Sequence, residues 1–405
     1  MKCCKTSSWQ GLKVRRSSGS VLIIVMWVAL GLVSVTLYFA QAMYFEFRAS
    51  DQYLQGLQAQ QSLEGGLRYA KYVLANAEEE GVLPLPSTYT TEKGLVGKSI
   101  FWFLGRHENA DNQTLPAFAL VDEGGKLNLN LATQEMLEAL PNMTPEFAAA
   151  IIDWRDEDEE VSDGGAEAAT YSRLVPSRGI KNAPFDSVDE LMMVYGADPL
   201  LIYGEDTNQN GILDPNENDG NISPPEDNAD GRLDPGWVDF LTVFTQAESQ
   251  QGDDEATTGD ASQTPPTSNL ISEEEETLQV NVNTATATVL ACLPGMDAQK
   301  AQQIISARSS QTTLGEDIAW VSEALGDSGL SETQNYLVGS SYAYSVDVVA
   351  VGQNGQGFRR SQFVLDTSGE EPSVVFRKDM DRQGWALGMP LKEEIKLFVS
   401  QWRVR

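Results

Sequence analysis

From Ser17 to Phe45 the chain carries no charged residue. A run of that length is enough to cross the hydrocarbon core of a bilayer as one helix. Lys2, Lys5, Lys13, Arg15 and Arg16 precede it. The positive-inside rule keeps that end cytoplasmic and exports the chain beyond the span. A secretory signal has a shorter apolar core followed by a small-x-small cut site. Here the apolar run is too long for that, and it continues into a second pattern. In "ASDQYLQGLQAQQSLEGGLRYAKYVLANAEEEG", Leu54, Leu57, Leu63, Leu67, Ala70, Tyr72 and Leu74 recur at roughly helical spacing, and Gly81 followed by Pro84 ends the pattern. The expected element is one helix from about Ser20 to Glu80, roughly 90 Å long. Its first half is apolar and its second half amphipathic. On these residues alone a generic single-pass anchor explains the segment equally well.

The 405 residues suffice for two or three domains with sizeable cores. A net charge of −31 argues against nucleic acid as a partner, because phosphate recognition needs concentrated Lys and Arg. The acids are clustered. Asp153 to Tyr171, Glu205 to Asp239 and Glu248 to Glu276 hold 27 of the 59 acidic residues and two basic ones. Such runs are either solvated loops or sites for hard cations with oxygen ligands. Cys3, Cys4 and Cys292 offer no disulfide framework, and Cys292 reads as a small core residue. His107, the one histidine, reads as a surface-loop residue. Its isolation argues against His-ligated zinc and against Ser-His or Cys-His catalysis. An anchored hydrolase is therefore disfavoured, and no enzymatic activity is expected.

The chain contains an internal repeat at an offset of 153 residues: "LNLNLATQEMLEALPNMTPEFAAAIIDWR" from Leu127 and "VNVNTATATVLACLPGMDAQKAQQIISAR" from Val280 align without a gap. Shared positions include Asn128/Asn281, Asn130/Asn283, Leu140/Leu293, Pro141/Pro294, Ile151/Ile304 and Arg155/Arg308. Each copy reads as helix, tight turn, helix. Thr133 or Thr284 is the expected cap of the first helix, Leu-Pro breaks it, and the Asn residues favour a turn leading into the unit. The pattern resembles the helix-hairpin-helix of DNA-repair and DNA-uptake proteins, so a membrane-anchored DNA-binding protein is the alternative reading. Against it, Asn142 replaces the turn glycine in the first copy, which runs straight into "DWRDEDEE". A phosphate would meet a negative field there.

A basic leader ending in Gly19, an apolar run and a continuous amphipathic helix together resemble a type IV pilin or type II secretion pseudopilin. Ile24, fifth residue after a cut at Gly19, departs from the glutamate usual in pilins. "FALVDEGGKLNLN", "AAIIDWRDEDEE", "GAEAATYSRL", "KNAPFDSVDELMMVYG" and "VNVNTATATVLACLPG", in that order, are similar to the general secretion pathway protein K family, whose members lack that acid. The similarity runs from Gly19 to about Lys378. It implies cleavage after Gly19 by a prepilin peptidase and methylation of Ser20. It also implies an α+β pseudopilin fold, a long N-terminal helix packed on an antiparallel sheet, with a large inserted α-helical domain containing the two helix-hairpin-helix-like repeats. The implied role is a minor pseudopilin initiating or capping the tip of a type II secretion pseudopilus. Its implied partners are other minor pseudopilins, with the chain anchored in the inner membrane and its bulk in the periplasm.

"EDTNQNGILDPNEND" has calcium-loop spacing. Counting from Asp206, the residues Asn208, Asn210, Gly211, Ile212, Asp214 and Glu217 fall at positions 3, 5, 6, 7, 9 and 12. Ile212 would contribute its carbonyl and Glu217 both carboxylate oxygens. A second loop, "EDNADGRLDPGW", repeats the core with Asn228, Asp230, Arg232 and Asp234, but Trp237 stands at position 12. Glu226 or Asp227 could assist there. The protein K resemblance implies calcium in the helical domain, which makes Asp153, Asp156, Asp158 and Glu167 further candidate ligands. An ion there would serve a structural role.

"QAESQQGDDEATTGDASQTPPTSNLISEEEE" is almost free of apolar residues and reads as a disordered linker. After it, "YAYSVDVVAVG", "GFRRSQFVLD" and "SVVFRK" alternate with turn residues, which predicts an antiparallel meander. Ser99 to Leu104 and Ala117 to Val121 are further strand candidates. The expected organisation is a leader (1–19), the pilin helix (20–80), the first α/β part (88–127), the helical insertion with calcium loops (128–245), the acidic linker (246–277), the second repeat (278–338) and a β-rich end (339–390).

Overall fold

The computed structural model describes residues 18–106, 115–244, 278–311, 314–326, 330, 332–353 and 355–402. The basic leader up to residue 17, His107 and the linker over 246–277 therefore lie outside the described residues. The chain divides into two units, Met1–Leu54 and Gln55–Arg405. Helix α1 (Ser18–Ala75) begins in the first and ends in the second. Within the first unit every residue from Val21 to Leu54 is exposed, including Leu22, Trp27 and Phe39. The segment is apolar and long enough to cross a membrane.

In the second unit α1 buries Ala59, Leu63, Leu67, Ala70, Val73 and Leu74. Leu57 and Tyr72, assigned to this face from spacing, are 46% and 64% exposed. The contact stripe is narrower than the apolar pattern suggested. The helix also ends at Ala75 rather than near Glu80, and the chain turns at Gly81, where φ is +72°. Gly66 lets the helix approach the sheet closely: a Cβ there would lie 2.8 Å from Val348 Cγ1 and 3.1 Å from the Phe101 ring.

The sheet has six antiparallel strands. β1 (Gly94–Val96), β2 (Ser99–Leu104), β8 (Ala343–Val351), β9 (Arg359–Asp366) and β10 (Ser373–Asp379) lie in the order β1-β2-β8-β9-β10, and β3 (Val121–Asp122) pairs with β8. The expected meander and the strand from Ser99 are present. The candidate at Ala117 to Val121 is reduced to a bridge between Phe118 and Leu104 and the short β3. Strand alternation sends Phe101, Phe103, Tyr344, Val346, Val348, Phe363 and Leu365 to the α1 side. On the opposite side Trp102, Leu104, Val349 and Val351 meet Ala386, Leu387, Leu391 and Ile395 of the C-terminal segment, whose helix spans Gly388–Trp402. That helix was not expected from sequence, although Leu391 and Ile395 have i,i+4 spacing. With both faces covered, all nine residues of β8 are buried.

Between β3 and β8 lie the helices. The first repeat holds β4 (Leu127–Asn128), α2 (Gln134–Glu138) and α3 (Pro145–Arg155). Next come α4 (Ala168–Tyr171), α5 (Pro199–Tyr203) and β5 (Leu241–Thr242). The second repeat holds β6 (Val280–Asn281), α6 (Ala287–Ala291) and α7 (Ala298–Arg308), then α8 (Ala319–Leu325) and β7 (Leu337–Val338). Both copies share one apolar core.

The copies also repeat their polar contacts. β4 pairs in parallel with β5, and β6 with β7. The amide of Asn130 donates to Asn128 Oδ1 at 2.8 Å, and that of Asn283 to Asn281 Oδ1 at 3.0 Å. Arg155 donates to the carbonyls of Leu129 and Ala132, and Arg308 to those of Val282 and Ala285. Asn142 and Gly295 take the same left-handed turn conformation, φ +57° and +75°. The helix caps are Thr133 and Thr286, whose hydroxyls accept from Met136 and Val289 amides. Thr284, the expected cap, instead donates to Asp122 Oδ2 at 2.6 Å. Thr286, not Thr284, stands at the repeat offset from Thr133. Cys292 is a core residue, as expected, and burial pushes its thiol up to about 12.

Two successive carboxylates tie these parts together. Asp122 accepts from Asn281 Nδ2 at 2.8 Å and from Thr284, while Glu123 accepts from Thr242 Oγ1 at 2.8 Å and Lys126 Nζ at 2.9 Å. Gly125 completes the junction: a Cβ there would lie 2.6 Å from Thr284 Oγ1 and 3.0 Å from the Ala285 amide. The Ala285 amide belongs to the backbone and cannot swing aside. Gly125→Ala is therefore expected to destabilise the protein by about 2 kcal/mol, read as a lower denaturant midpoint.

Candidate metal centres

The loop from Asp206 to Glu217 comes directly after α5. Its turn is closed by Asp206, whose Oδ1 accepts the Asn210 amide at 2.9 Å and whose Oδ2 accepts the Gly211 amide at 2.7 Å. Gly211 has φ +70°, the conformation for which glycine is suited at the sixth position. Asn208 Nδ2 and Asn210 Nδ2 both reach Asp214 Oδ2, at 2.7 and 2.9 Å. Asn210 Oδ1 accepts the Ile212 amide at 2.7 Å, and the Ile212 side chain is buried. Glu217 folds back over the loop, accepting from the Thr207 amide at 3.2 Å and the Asp214 amide at 3.0 Å. All six residues at the expected ligand positions thus belong to one compact loop.

Its electrostatics fit a cation. Asp206, Asn210 and Glu217 are buried, and Asn208 Oδ1 is a buried acceptor without a partner. Burial raises Asp206 above its ordinary value despite the Arg106 charge. Burial, then the Asp206 and Asp214 charges, push Glu217 up to about 8. Buried carboxylates that repel one another are costly unless a positive charge compensates them.

The second loop is more exposed. Asn228 Nδ2 reaches Asp234 Oδ2 at 2.9 Å, Asn228 Oδ1 accepts the Asp230 amide at 2.9 Å, and Asp230 Oδ1 accepts the Arg232 amide at 2.8 Å. Trp237, at its twelfth position, points into the core, stacks on Phe147 and donates to the Pro141 carbonyl at 2.8 Å. Glu205 takes the closing position instead, accepting from the Asn228 and Asp234 amides, each at 3.1 Å. Sequence spacing missed Glu205 because it precedes the loop by more than twenty residues. The only hint was its place beside Asp206.

Of the four candidate acids from Asp153 to Glu167, three converge. Carboxylate oxygens of Asp156, Asp158 and Glu167 lie within 4.8 Å of one another. Asp156 Oδ1 and Glu167 Oε1 are buried without a hydrogen-bond partner. Both groups are raised, first by burial and then by the neighbouring acids. Asp153 is fully buried but accepts the Ser162 amide at 3.2 Å and abuts Gly165, where a Cβ would come 2.1 Å from its Oδ2.

The repeat turns are poorly suited to a phosphate. Met143 and Met296 amides are taken by the Leu140 and Leu293 carbonyls. Glu332 Oε2 lies 2.9 Å from where a Gly295 Cβ would be, which places a carboxylate beside the better-matched turn.

Two family models, both described as type II secretion system (T2SS), protein K, match residues 119–203 and 280–338. The first interval contains the first repeat and the Asp156–Glu167 cluster, the second contains the second repeat, and the Asp206–Glu217 loop falls between them. Over these two intervals the chain is similar to the type II secretion system protein K family. Among solved structures it is similar to a chain of the GspK-GspI-GspJ complex from the enterotoxigenic Escherichia coli type 2 secretion system. The TM-score is 0.49 at 14% identity, covering 82% of this chain and 99% of that one. No curated protein matches the chain by sequence.

Glu217 gives a pH test of the loop's charge balance. Its raised pKa means the ion-free folded protein keeps a proton that the unfolded chain releases. Stability in chelator should fall as pH rises from about 4.5 to about 8, by at most about 1.4 kcal/mol per pH unit from this group. Melts in EDTA at pH 5 and pH 8 read this, and Glu217→Gln should flatten the difference.

Proposed function

We propose that the chain is a minor pseudopilin at the tip of a type II secretion pseudopilus, a structural subunit stabilised by calcium rather than an enzyme. Similarity to protein K over residues 119–203 and 280–338 supports the secretion role, and Ile24 carries the assignment to the tip. The acid usual at that position is thought to meet the free amino terminus of a neighbouring subunit during insertion. A subunit without it suits the first position, where nothing lies ahead. The exposed apolar helix of the first unit supports an inner-membrane anchor with the bulk of the chain in the periplasm and other minor pseudopilins as partners. Gly19 and Ser20 lie in the first turn of α1, where backbone N–H groups lack intrahelical partners. Prepilin peptidase would cut between them, with methylation of Ser20 as the next step.

Calcium would be held by Asp206, Asn208, Asn210, the Ile212 carbonyl, Asp214 and Glu217. The Asp156, Asp158 and Glu167 cluster is a second place for it, with Asn228, Asp230, the Arg232 carbonyl and Asp234 as a weaker third. The ion supplies positive charge to carboxylates that folding brings together, and the unfolded chain offers no such site. In this arrangement the pilin helix and sheet form the pseudopilin body, and the two repeats with their loops form an insertion.

Amino-terminal sequencing after co-expression with a prepilin peptidase should give Ser20; any other terminus removes the processing step. Deleting the chain should abolish secretion, and the full chain in detergent should co-purify with other minor pseudopilins. Calcium at ten times Kd should stabilise the same preparation by about 1.4 kcal/mol per site, a rise of a few degrees in Tm. Asp206→Ala combined with Glu217→Ala should remove most of that rise, and an unchanged response would exclude the loop.

A further inference from the structure

Two arginines reach the Asp206–Glu217 loop from the sheet, and neither belongs to a metal-binding pattern. Arg360, on β9, is fully buried. Its Nε bonds both Asp347 oxygens at 3.0 Å, and its Nη2 bonds Asp347 Oδ2 at 2.6 Å. The remaining donors go to loop backbone: Nη1 to the Asn208 carbonyl and Nη2 to the Gln209 carbonyl, both at 2.5 Å. Arg106, just past β2, donates from Nη1 to the same Gln209 carbonyl at 2.9 Å and pairs through Nε with Asp239 Oδ1 at 3.2 Å. Gln209 itself has φ +54°. A non-glycine residue in that left-handed conformation costs about 1–2 kcal/mol. Three charge-assisted hydrogen bonds hold the turn there. The turn separates Asn208 from Asn210, so the two guanidinium groups set the orientation of the third and fifth loop positions.

We propose that Arg106 and Arg360 are positioning residues for the cation at this loop, and that Arg360, through Asp347, couples ion occupancy to strands β8 and β9. The inference rests on the proposal that the loop holds calcium. Coupling of this kind is reciprocal: an ion that favours the gripped turn tightens the grip, and a lost grip weakens ion binding. Net charge is not the agent, because Asp347 and Asp239 each offset one arginine. Lysine keeps that charge but lacks the planar fork needed to serve a carboxylate and two carbonyls at once. Arg360→Lys therefore separates geometry from charge.

The test uses the full chain in detergent, calcium titration by calorimetry, and amide hydrogen exchange with and without calcium. Kd should rise about tenfold for Arg360→Lys and less for Arg106→Lys. In the wild type calcium should slow exchange at Gly211 and Ile212 and also at Asp347 and Arg360. In Arg360→Lys the slowing should be confined to the loop. Should Arg360→Lys fail to fold, Arg106→Lys, at a less buried position, carries the same comparison with the wild-type exchange pattern. Kd values within about twofold of wild type, with Asp347 and Arg360 amides indifferent to calcium, would overturn the coupling and leave the calcium site standing. A wild type that takes up no calcium would overturn both.

Discussion

Everything outside the first unit is organised around two neighbouring buried acids, Asp122 and Glu123, at the end of β3. Through β3 they belong to the main sheet; the Asp122 carboxylate holds the second repeat at Asn281, and the Glu123 carboxylate holds β5, the partner of β4, at Thr242. Their environments differ. Burial raises Asp122 even though Asn281, Thr284 and the Gly124 amide hydrogen-bond to it, because no cation faces it among the described residues. Burial also acts on Glu123, but Lys126 and the hydroxyls of Ser345 and Thr242 outweigh it and hold that group below its ordinary value. A buried carboxylate stripped of its donors costs several kcal/mol, so this junction fixes which surface of each repeat meets the sheet. Gly125 makes the contact sterically possible.

The same electrostatic constraint explains where the acids went. A chain with net charge −31 can fold only if its clustered carboxylates are exposed, hydrogen-bonded or neutralised. Asp227 is satisfied by three backbone amides, and Asp153 accepts the Ser162 amide. Asp206, Glu217, Asp156 and Glu167 remain raised after such contacts. These groups are where a divalent cation has most to offer. The proposed calcium would act on these groups, stapling the helical region beside the sheet.

Much of the fold was legible in residue order. Runs of β-branched and aromatic residues bounded by turn formers located β8, β9 and β10, because residue types that fit a pleated surface mark strands even where both faces are covered. The repeat was legible because each copy needs the same cap, turn and arginine to close a two-helix unit. Errors arose where a local rule allowed neighbours to compete. Thr284 and Thr286 are both plausible caps by residue type, and only the approach of Asp122 distinguishes them. Leu57 and Tyr72 are apolar, but at 3.6 residues per turn they stand roughly 120° and 180° around the helix from Leu63, away from the sheet. The C-terminal helix was missed because its apolar face becomes informative only beside Trp102 and Val349.

By itself the sequence determined the membrane-length apolar helix, the missing acid at Ile24, the repeated helix-turn-helix units and the ligand spacing of the Asp206 loop. These are properties of residue type and interval, which covalent order sets. Tertiary structure alone decided that Glu205 closes the second loop, that Asp156, Asp158 and Glu167 converge while Asp153 turns to Ser162, and that Arg106 and Arg360 grip the turn at Gln209. Each of those contacts joins groups with no fixed interval between them. Their energies depend on burial and distance, which exist only once the chain has packed.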